Sequence, residues 1–509
     1  MKARIPTPVT NNAGPIAGQE KDLPGLVLSL VRELTVYGLS DSIARGLNII
    51  LVPLYARFLT TSTLGQLDVL TATVTLGNYL TLLGFDSSEA RYFYDTDDRR
   101  DQKTTLSTSL VFQIFCGLVL FLIFFLLRRD FATAFLGSEG AGYLVTIAAL
   151  TFPVFPILRM ARNHLRRLRQ PKRYALLQTL YIVLALLSIT VLVARFRLSV
   201  LGGVVGTLVA VVVATLVSVP LMRGWVANCF SYTRLRQLLA YGLPLLPAGI
   251  AVWTTALIDR YFVGYYRTLP ELGLYSMANM VANGATLLTG PISLGWLPFV
   301  QSIRRRPEAN EVYRKFFIAS VVGFGGVWVV VSIFSPEILR LFATASYLGI
   351  VGLIPLLVLS VILNAYYFIG GTGMAVAFRQ QFIGLATVVG ALTNIALNFL
   401  LIPRYGIVGA AVSTLVSQAV TIVLIIVRSQ QIYAIDYRWD QCALVIGFST
   451  AAIIIGLGGI RGAFLLVTSA KVVLVVMLFL IFEALGIISM RKTLQIFRNS
   501  FCGSSQKKS

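Results

Sequence analysis

The sequence is poor in charged residues, in histidine and in paired cysteines, and each shortage excludes a class of protein. Only 13% of its 509 residues are charged, against about 25% in a soluble globular domain. The single histidine, His164, excludes a metal site built from several histidines and a histidine proton relay. The four cysteines have no paired spacing, which excludes a disulfide framework and a zinc site. We therefore expect no cofactor and no bound structural metal.

Hydrophobic residues, in contrast, make up 57% of the chain, and the mean hydropathy is +0.80. This composition excludes a soluble enzyme and indicates a membrane protein. A spanning helix needs about 20 apolar residues, so a chain of this length holds about fourteen helices and no large soluble domain. The apolar runs predict an all-α integral membrane fold with about 14 transmembrane helices.

A weak internal repeat divides these helices into two groups. Tyr37-Gly38-Leu39 and Tyr241-Gly242-Leu243 open corresponding helices about 200 residues apart, and Leu64-Gly65 and Leu272-Gly273 open the helices that follow. Six spans separate the copies, so the two halves have the same orientation in the membrane. We predict two six-helix lobes, related as a parallel pseudo-repeat, followed by a C-terminal helix pair. The predicted segments are a tail with a candidate interfacial helix (1–35), a first lobe (36–222), a linker (223–240), a second lobe (241–428), helices 13 and 14 (429–490) and a basic tail (491–509).

The basic residues predict the orientation of the chain. There are 43 Lys and Arg against 21 Asp and Glu, a net charge of +22. These cations lie in short connections between apolar runs, where they set topology and contact anionic lipids, so nucleic acid is not an expected partner. They are about three times as frequent on the side that holds both termini, which predicts cytoplasmic termini. The richest loop, Arg159 to Arg173, is explained by topology, although it could also guide an anionic substrate.

Five segments carry a resemblance to a known superfamily. They are PLYARFLTTSTLGQLDVL (Pro53 to Leu70), GFDSSEARYFYD (Gly84 to Asp95), YGLPLLPAGIAVWTTALIDRYFVGYY (Tyr241 to Tyr266), LGLYSMANMVA (Leu272 to Ala282) and TNIALNFLLIPRYGIVGAAVSTLVSQ (Thr393 to Gln418). Together they resemble the polysaccharide flippase branch of the multidrug/oligosaccharidyl-lipid/polysaccharide exporter superfamily. The resemblance implies translocation of a polyprenyl-pyrophosphate-linked oligosaccharide across the cytoplasmic membrane by alternating access, for cell-surface polysaccharide biosynthesis. It implies transport without covalent chemistry, so the protein is not expected to be an enzyme.

Ionisable and amide side chains inside the predicted spans are the candidates for substrate binding, because such groups are costly in a membrane. Arg45 lies near the middle of helix 1, one turn after Asp41. Its guanidinium group suits a pyrophosphate, and the alternative is a buried pair with Asp41 that only fixes helix packing. Asn279 and Asn283, one turn apart on helix 8, are the best candidates for glycan contact. Amides of this kind also act simply as contacts between helices.

Four charged residues near the outer helix ends are candidates for a gate between the lobes. Asp68 on helix 2 and Arg260 on helix 7 lie at similar depth with opposite charge, so we predict that they pair when the outer side is closed. Asp259 is adjacent, and Arg57 is a competing partner for either aspartate. The alternative is that all four only anchor helix ends in water and headgroups.

Lys471 in the last helix has two open interpretations. It either lines a groove between the last helix pair and the lobes or extends its ammonium group toward the headgroups.

Two other functions remain open beside the flippase. A cation-coupled multidrug exporter of the same fold would depend on carboxylates such as Asp41, and a mid-membrane arginine disfavours a cavity for cationic drugs. A non-transporting scaffold of a glycan-assembly complex would need more sequence outside the membrane. The expected partners are the lipid-linked oligosaccharide and membrane lipids, with a polysaccharide polymerase and glycosyltransferases as candidates. The identity of the glycan, the coupling ion (H⁺ or Na⁺) and the oligomeric state stay open.

Overall fold

A computed structural model describes residues 50–226, 229–459 and 464–487, and within these ranges the secondary structure is helical without a strand. Asp41, Arg45, the predicted interfacial helix and the tail after residue 487 lie outside the described residues. A helical stretch over residues 50–58 is followed by the helices of the first lobe. These are α1 (Thr61–Leu82), α2 (Phe85–Tyr94), α3 (Arg99–Leu126), α4 (Arg128–Leu136), α5 (Gly142–Ala149), α6 (Thr151–Arg167), α7 (Pro171–Thr190) and α8 (Ser199–Ser218).

A linker helix, the second lobe and the C-terminal pair follow. The linker helix is α9 (Tyr232–Gly242), and the second lobe consists of α10 (Leu246–Leu257), α11 (Asp259–Tyr266), α12 (Leu269–Asn283), α13 (Thr286–Ile303), α14 (Ala309–Ile333), α15 (Ser335–Phe342), α16 (Ile354–Ile369), α17 (Thr372–Val376) and α18 (Gln381–Ile432). The pair is α19 (Trp439–Ile454) and α20 (Phe464–Ala484).

Among the described residues, ten helical segments are long and apolar enough to cross a membrane. One of them, the 52-residue α18, contains a break at Gly406, where φ is 57° and ψ is −135°. This break separates the predicted helices 11 and 12, because a backbone with positive φ leaves the right-handed helix and glycine adopts it at least cost. The chain is therefore an all-α, multi-pass membrane protein, as predicted. The number fourteen and the lobe boundaries stay predictions.

The basic segment Arg159 to Arg173, predicted as a loop, is mostly helical, and that prediction was wrong. Helix α6 continues to Arg167 and α7 begins at Pro171. The helix can continue because acidic partners on α2 neutralise its cations: Arg159 pairs with Asp86, and the buried Arg167 donates to Glu89 Oε2 at 2.5 Å. Proline at the first position then suits the start of the next helix.

The two lobes meet along α1 and α12 through two glycines of the sequence repeat. A Cβ atom added at Gly65 would lie 2.4 Å from the carbonyl oxygen of Leu269, and one added at Gly273 would lie 1.8 Å from that of Thr61. Only glycine permits backbones to approach this closely. The repeat therefore marks two of the positions at which the lobes touch, and this side of the molecule is called the Gly65 end.

The linker helix α9 touches the first lobe at the opposite end of α1, called the Gly84 end. There a Cβ atom at Gly84, whose φ is 72°, would lie 2.4 Å from the carbonyl oxygen of Gly242. The linker helix α9 packs its Leu235 and Leu238 against Phe85 of the first lobe. Arg234 of α9 also pairs with Asp101 of α3. The linker helix is thus held on the first lobe, and the chain enters the second lobe from there.

Candidate functional site

A cavity of about 460 Å³ lies where the two lobes meet, between α1, the helical stretch 50–58, α11 and α12. Its volume is in the usual range for small-molecule sites. Leucine side chains form much of its wall, and its polar lining includes Asp68, Arg260, Ser276, Asn279 and Asn283. The cavity therefore contains four of the residues selected from the sequence, and they come from both lobes.

Asp68 and Arg260 contact each other across the lobes. Arg260 Nε lies 3.3 Å from Asp68 Oδ2, and Arg260 is only 5% exposed. The contact is an ion pair without hydrogen-bond geometry, since Arg260 Nε has no hydrogen-bond partner among the described residues. The predicted pairing of these two residues is therefore present, and their action as a gate stays a prediction.

Asp259 holds Arg260 from the same helix. Arg260 Nη1 donates to Asp259 Oδ1 at 2.5 Å, and Asp259 Oδ2 accepts from the Tyr275 hydroxyl and, at 3.4 Å, from Thr414 Oγ1. Asp259 is 2% exposed. A buried guanidinium group needs such compensation, since an unpaired buried charge is strongly destabilising. Asp259 thus fixes Arg260 inside the second lobe, leaving Asp68 as its contact with the first lobe.

Ser276 makes a second contact across the lobes. Its hydroxyl donates to Asp68 Oδ2 at 2.5 Å. Sequence reasoning missed this residue, yet a signal was present. Asp68 follows Leu64-Gly65 by the same spacing as Ser276 follows Leu272-Gly273. The two residues are therefore equivalent in the repeat, and alignment of the two copies would have placed them opposite each other.

The predicted pairing of Arg57 with Asp68 or Asp259 is not formed. Arg57 is exposed near the end of the stretch 50–58, and no acidic group of the described residues lies within 4 Å of it. Asp68 and Asp259 both contact Arg260 instead, which is buried between them. An exposed arginine gains little free energy from an ion pair, because water already solvates its charge.

Asn279 and Asn283 border the cavity on α12, as the sequence predicts for contact residues. Asn279 Nδ2 donates to the Tyr275 carbonyl at 3.0 Å, and Asn283 Nδ2 donates to the Asn279 carbonyl at 2.9 Å. These bonds fix both side chains along their own helix. Their role in binding substrate stays a prediction, as do the roles of Arg45 and Asp41.

Lys471 does not extend toward the headgroups, so that interpretation was wrong. It lies where the last helix meets the second lobe, and a groove at this place stays a prediction. Its ammonium group lies 2.7 and 3.0 Å from the two carboxylate oxygens of Glu337 on α15, and the residue is 3% exposed. The acidic partner removes the need to reach water. The pair fastens α20 to the second lobe.

Two solved structures share the fold over most of this chain. The lipid II flippase MurJ in an inward closed conformation has a TM-score of 0.71 at 13% identity, covering 88% of this chain and 97% of that chain. An inward-facing multidrug resistance MATE family transporter of the MOP superfamily has a TM-score of 0.60 at 14% identity, covering 81% and 95%. At this identity the likeness shows the fold alone, and it agrees with the predicted fold class.

A curated relative from Haloferax volcanii, named a probable low-salt glycan biosynthesis flippase, Agl15, is 26% identical over 244 residues. The match covers 46% of this chain and 49% of the relative. The chain spans about half the length of the curated relatives it matches. The family described as "Polysaccharide biosynthesis protein" matches residues 30–304, more than half of the chain. The resemblance found in the sequence is thereby confirmed, and the chain belongs to this polysaccharide biosynthesis protein family.

Proposed function

We propose that this protein is a flippase that moves a polyprenyl-pyrophosphate-linked oligosaccharide across the cytoplasmic membrane, for cell-surface polysaccharide biosynthesis. The observation that carries the proposal is the cavity between the lobes, which the Asp68–Arg260 ion pair and the Gly65 and Gly273 contacts close at one end. Family membership and the relative named as a glycan flippase support the same substrate class.

The chemistry of this closure suits alternating access. A lipid-linked oligosaccharide has an apolar tail, an anionic pyrophosphate and a polar glycan, so its path needs polar groups that become accessible from each side in turn. The contacts between the lobes toward the Gly65 end include the Asp68–Arg260 ion pair, the Ser276–Asp68 hydroxyl bond, a hydroxyl bond between Thr73 and Tyr261 and close backbone packing. Such contacts join helices of different lobes, so breaking them leaves the backbone hydrogen bonds within each helix in place. Separation of the lobes at this end would open the cavity to that side.

A cation-coupled multidrug exporter is the second candidate, because one observation favours it. Among the described residues, the cluster at the lobe interface has two carboxylates, Asp68 and Asp259, but one cation, Arg260. A net negative charge attracts cationic ligands. However, both carboxylates contact the same buried guanidinium group, which reduces their availability to a drug.

Deletion of the gene separates these candidates. We expect the deletion strain to lose a surface polysaccharide, to accumulate the lipid-linked precursor and to keep the dye efflux of the parent strain. The measurements are surface glycan staining, thin-layer analysis of extracted lipids and efflux of a fluorescent cationic dye. Unchanged surface glycan with reduced efflux would contradict the flippase and support the exporter. Loss of glycan without precursor accumulation would instead favour a scaffold of the assembly complex.

The proposed orientation places the Gly84 end in the cytoplasm, and thiol labelling tests it. In a variant without native cysteines, we expect single cysteines at the exposed positions Arg169 and Arg305 to be shielded from an impermeant maleimide in intact cells. Cysteines at the exposed positions Ser138 and Thr268 of the Gly65 end should be labelled. All four should react after permeabilisation, which controls for accessibility. The opposite pattern in intact cells would reverse the assigned orientation.

A further inference from the structure

A second cavity, of about 360 Å³, lies inside the first lobe between α1, α6, α7 and α8. It is lined by Leu67 and Thr71 of α1, which also line the cavity between the lobes. The two cavities therefore follow the same helix from the Gly65 end toward the Gly84 end. Its lining includes Asn78, an amide inside predicted helix 2, and Arg159 of the basic segment, but none of the predicted gate residues.

The polar groups of this cavity are mainly hydrogen-bond acceptors that lack a donor. The hydroxyls of Thr71, Thr75 and Thr207 donate to backbone carbonyls of their own helices, so their oxygens remain free to accept. Asn78 also lines the cavity, and its buried Oδ1 has no hydrogen-bond partner in the part of the chain that the structure describes. A buried acceptor without a hydrogen bond destabilises the protein by about 1–3 kcal/mol. A ligand that donates a hydrogen bond to it therefore gains binding free energy.

Arg159 is a donor held in place at the same cavity. Its Nε and Nη2 donate to Asp86 Oδ2 at 2.9 and 2.5 Å, and Asn163 Nδ2 donates to Asp86 Oδ1 at 2.7 Å. No described residue accepts from Arg159 Nη1, and Arg159 lines the cavity. Because Asp86 neutralises its guanidinium group, Arg159 offers a donor whose own charge is already compensated. A neutral acceptor suits this group better than a pyrophosphate, which needs uncompensated cations.

Aromatic rings complete the lining. Tyr79, Phe155 and Tyr181 border the cavity from three different helices. Arg162 lies with its guanidinium carbon 5.8 Å from the ring centroids of both Phe155 and Tyr181, and its Nη1 donates to Gln178 Oε1. These contacts fix two of the rings before a ligand binds. Rigid aromatic faces beside polar acceptors match a ligand that has an apolar face and a polar edge.

We propose that this first-lobe cavity binds one or more neutral sugar residues of the transported glycan, and that it holds neither the pyrophosphate nor the polyprenyl tail. A sugar ring has hydroxyls that donate to Asn78 Oδ1 and the threonine oxygens, and hydroxyl oxygens that accept from Arg159 Nη1. Its C–H face packs on the aromatic rings. A pyrophosphate has no donor for Asn78, and a polyprenyl chain has neither donor nor acceptor. The inference rests on the proposed flippase function and assigns one part of the substrate to one cavity.

Two substitutions test the polar contacts in the full-length protein. Asn78→Leu removes the unsatisfied acceptor, so the amount of protein in the membrane should stay the same or rise while transport slows. Arg159→Lys keeps the charge beside Asp86 but loses the Nη1 donor. Each lost bond should slow the appearance of radiolabelled glycan at the cell surface about two- to tenfold. Arg166→Ala is the matched control, because it removes an exposed cation from the same helix outside the cavity, and it should transport at the wild-type rate.

Photocrosslinking identifies the occupant directly. A benzophenone amino acid is placed at Tyr79. For comparison it is placed at Leu176 of α7, which is 71% exposed and does not line the cavity. Cells are fed a radiolabelled sugar, irradiated, and the purified protein is counted. We expect sugar label at position 79 that disappears when the first glycosyltransferase of the glycan is inactivated, and none at position 176. A sugar-free prenyl adduct at position 79, no adduct there, or wild-type transport by both substituted proteins would overturn the assignment.

Failure of the flippase proposal gives a different result. If the proposed function is wrong, the deletion strain retains its surface glycan whatever happens at Tyr79. If only the sugar site is wrong, the deletion strain loses the glycan and both Asn78→Leu and Arg159→Lys restore it at full rate.

Discussion

Gly273→Leu is expected to abolish glycan transport, and Gly273→Ala to reduce it about 5–150-fold, without loss of protein from the membrane. The reason is the contact of the lobes at the Gly65 end, where a single Cβ atom at this position would lie 1.8 Å from the carbonyl oxygen of Thr61. That oxygen belongs to the backbone of α1 and cannot rotate away. Overpacking of this kind costs about 1–3 kcal/mol, which corresponds to a shift of about 5–150-fold between closed and open populations.

The effect should come from closure and not from the folding of α12. Alanine is a better helix former than glycine by about 1 kcal/mol, so Gly273→Ala stabilises the helix itself. Gly295→Ala on α13 is the matched control, because a Cβ atom there has no neighbour within 4 Å in the described part of the chain. We expect this control to transport normally. Both proteins should be present in the membrane in wild-type amounts, measured by immunoblot.

A conformational measurement accompanies the transport assay. A cysteine at Asn279, which lines the cavity between the lobes, should react faster with an impermeant thiol reagent in the Gly273→Ala background. Faster labelling from outside the cell means that the Gly65 end stays open. Wild-type transport together with unchanged labelling would show that the lobes need not approach as closely as in this structure.

The position of the lobe contact could be predicted from sequence because it depends on local pattern. The pairs Leu64-Gly65 and Leu272-Gly273 identify the start of equivalent helices, and the predicted helix directions place Asp68 and Arg260 at the same depth. Depth along a helix follows from residue count at about 1.5 Å per residue. Two opposite charges at equal depth can pair if their helices are neighbours. The structure shows that these helices are neighbours and that the two residues pair.

The partners of buried charges could not be predicted, since they depend on tertiary packing. Lys471 is separated from Glu337 by 134 residues, and no spacing rule connects them. The extension of α6 through its arginines depended on acidic residues of α2, which are distant in sequence. The sequence explains Arg159 only as one of the cations that set the topology. Its position at a cavity depends on the contact with Asp86, which only the tertiary structure shows.

Charge exchange between Asp68 and Arg260 tests whether their ion pair controls the opening of the Gly65 end. Arg260→Asp places three carboxylates together with Asp68 and Asp259, and Asp68→Arg places two guanidinium groups beside one carboxylate. Both should reduce transport, and Arg260→Asp more, because it leaves three buried like charges. The double exchange restores one cation between two carboxylates, so it should recover part of the lost rate. A coupling of 1–3 kcal/mol corresponds to a recovery of about 5–150-fold over the worse single variant.

An exposed ion pair in the same part of the molecule provides the control. Arg129 and Glu139 lie 3.5 Å apart with side chains 70% and 64% exposed, and such pairs contribute little because water and salt screen them. Glu139→Arg should therefore leave transport unchanged.

The two single exchanges, the double exchange and the Glu139→Arg control are compared by the rate at which radiolabelled glycan reaches the cell surface, normalised to protein in the membrane. If the double exchange is no faster than the worse single one, Asp68 and Arg260 only anchor their helices. Closure then depends on the other contacts between the lobes, among them the glycine contacts of α1 and α12, and the Gly273 variants should still show their full effect.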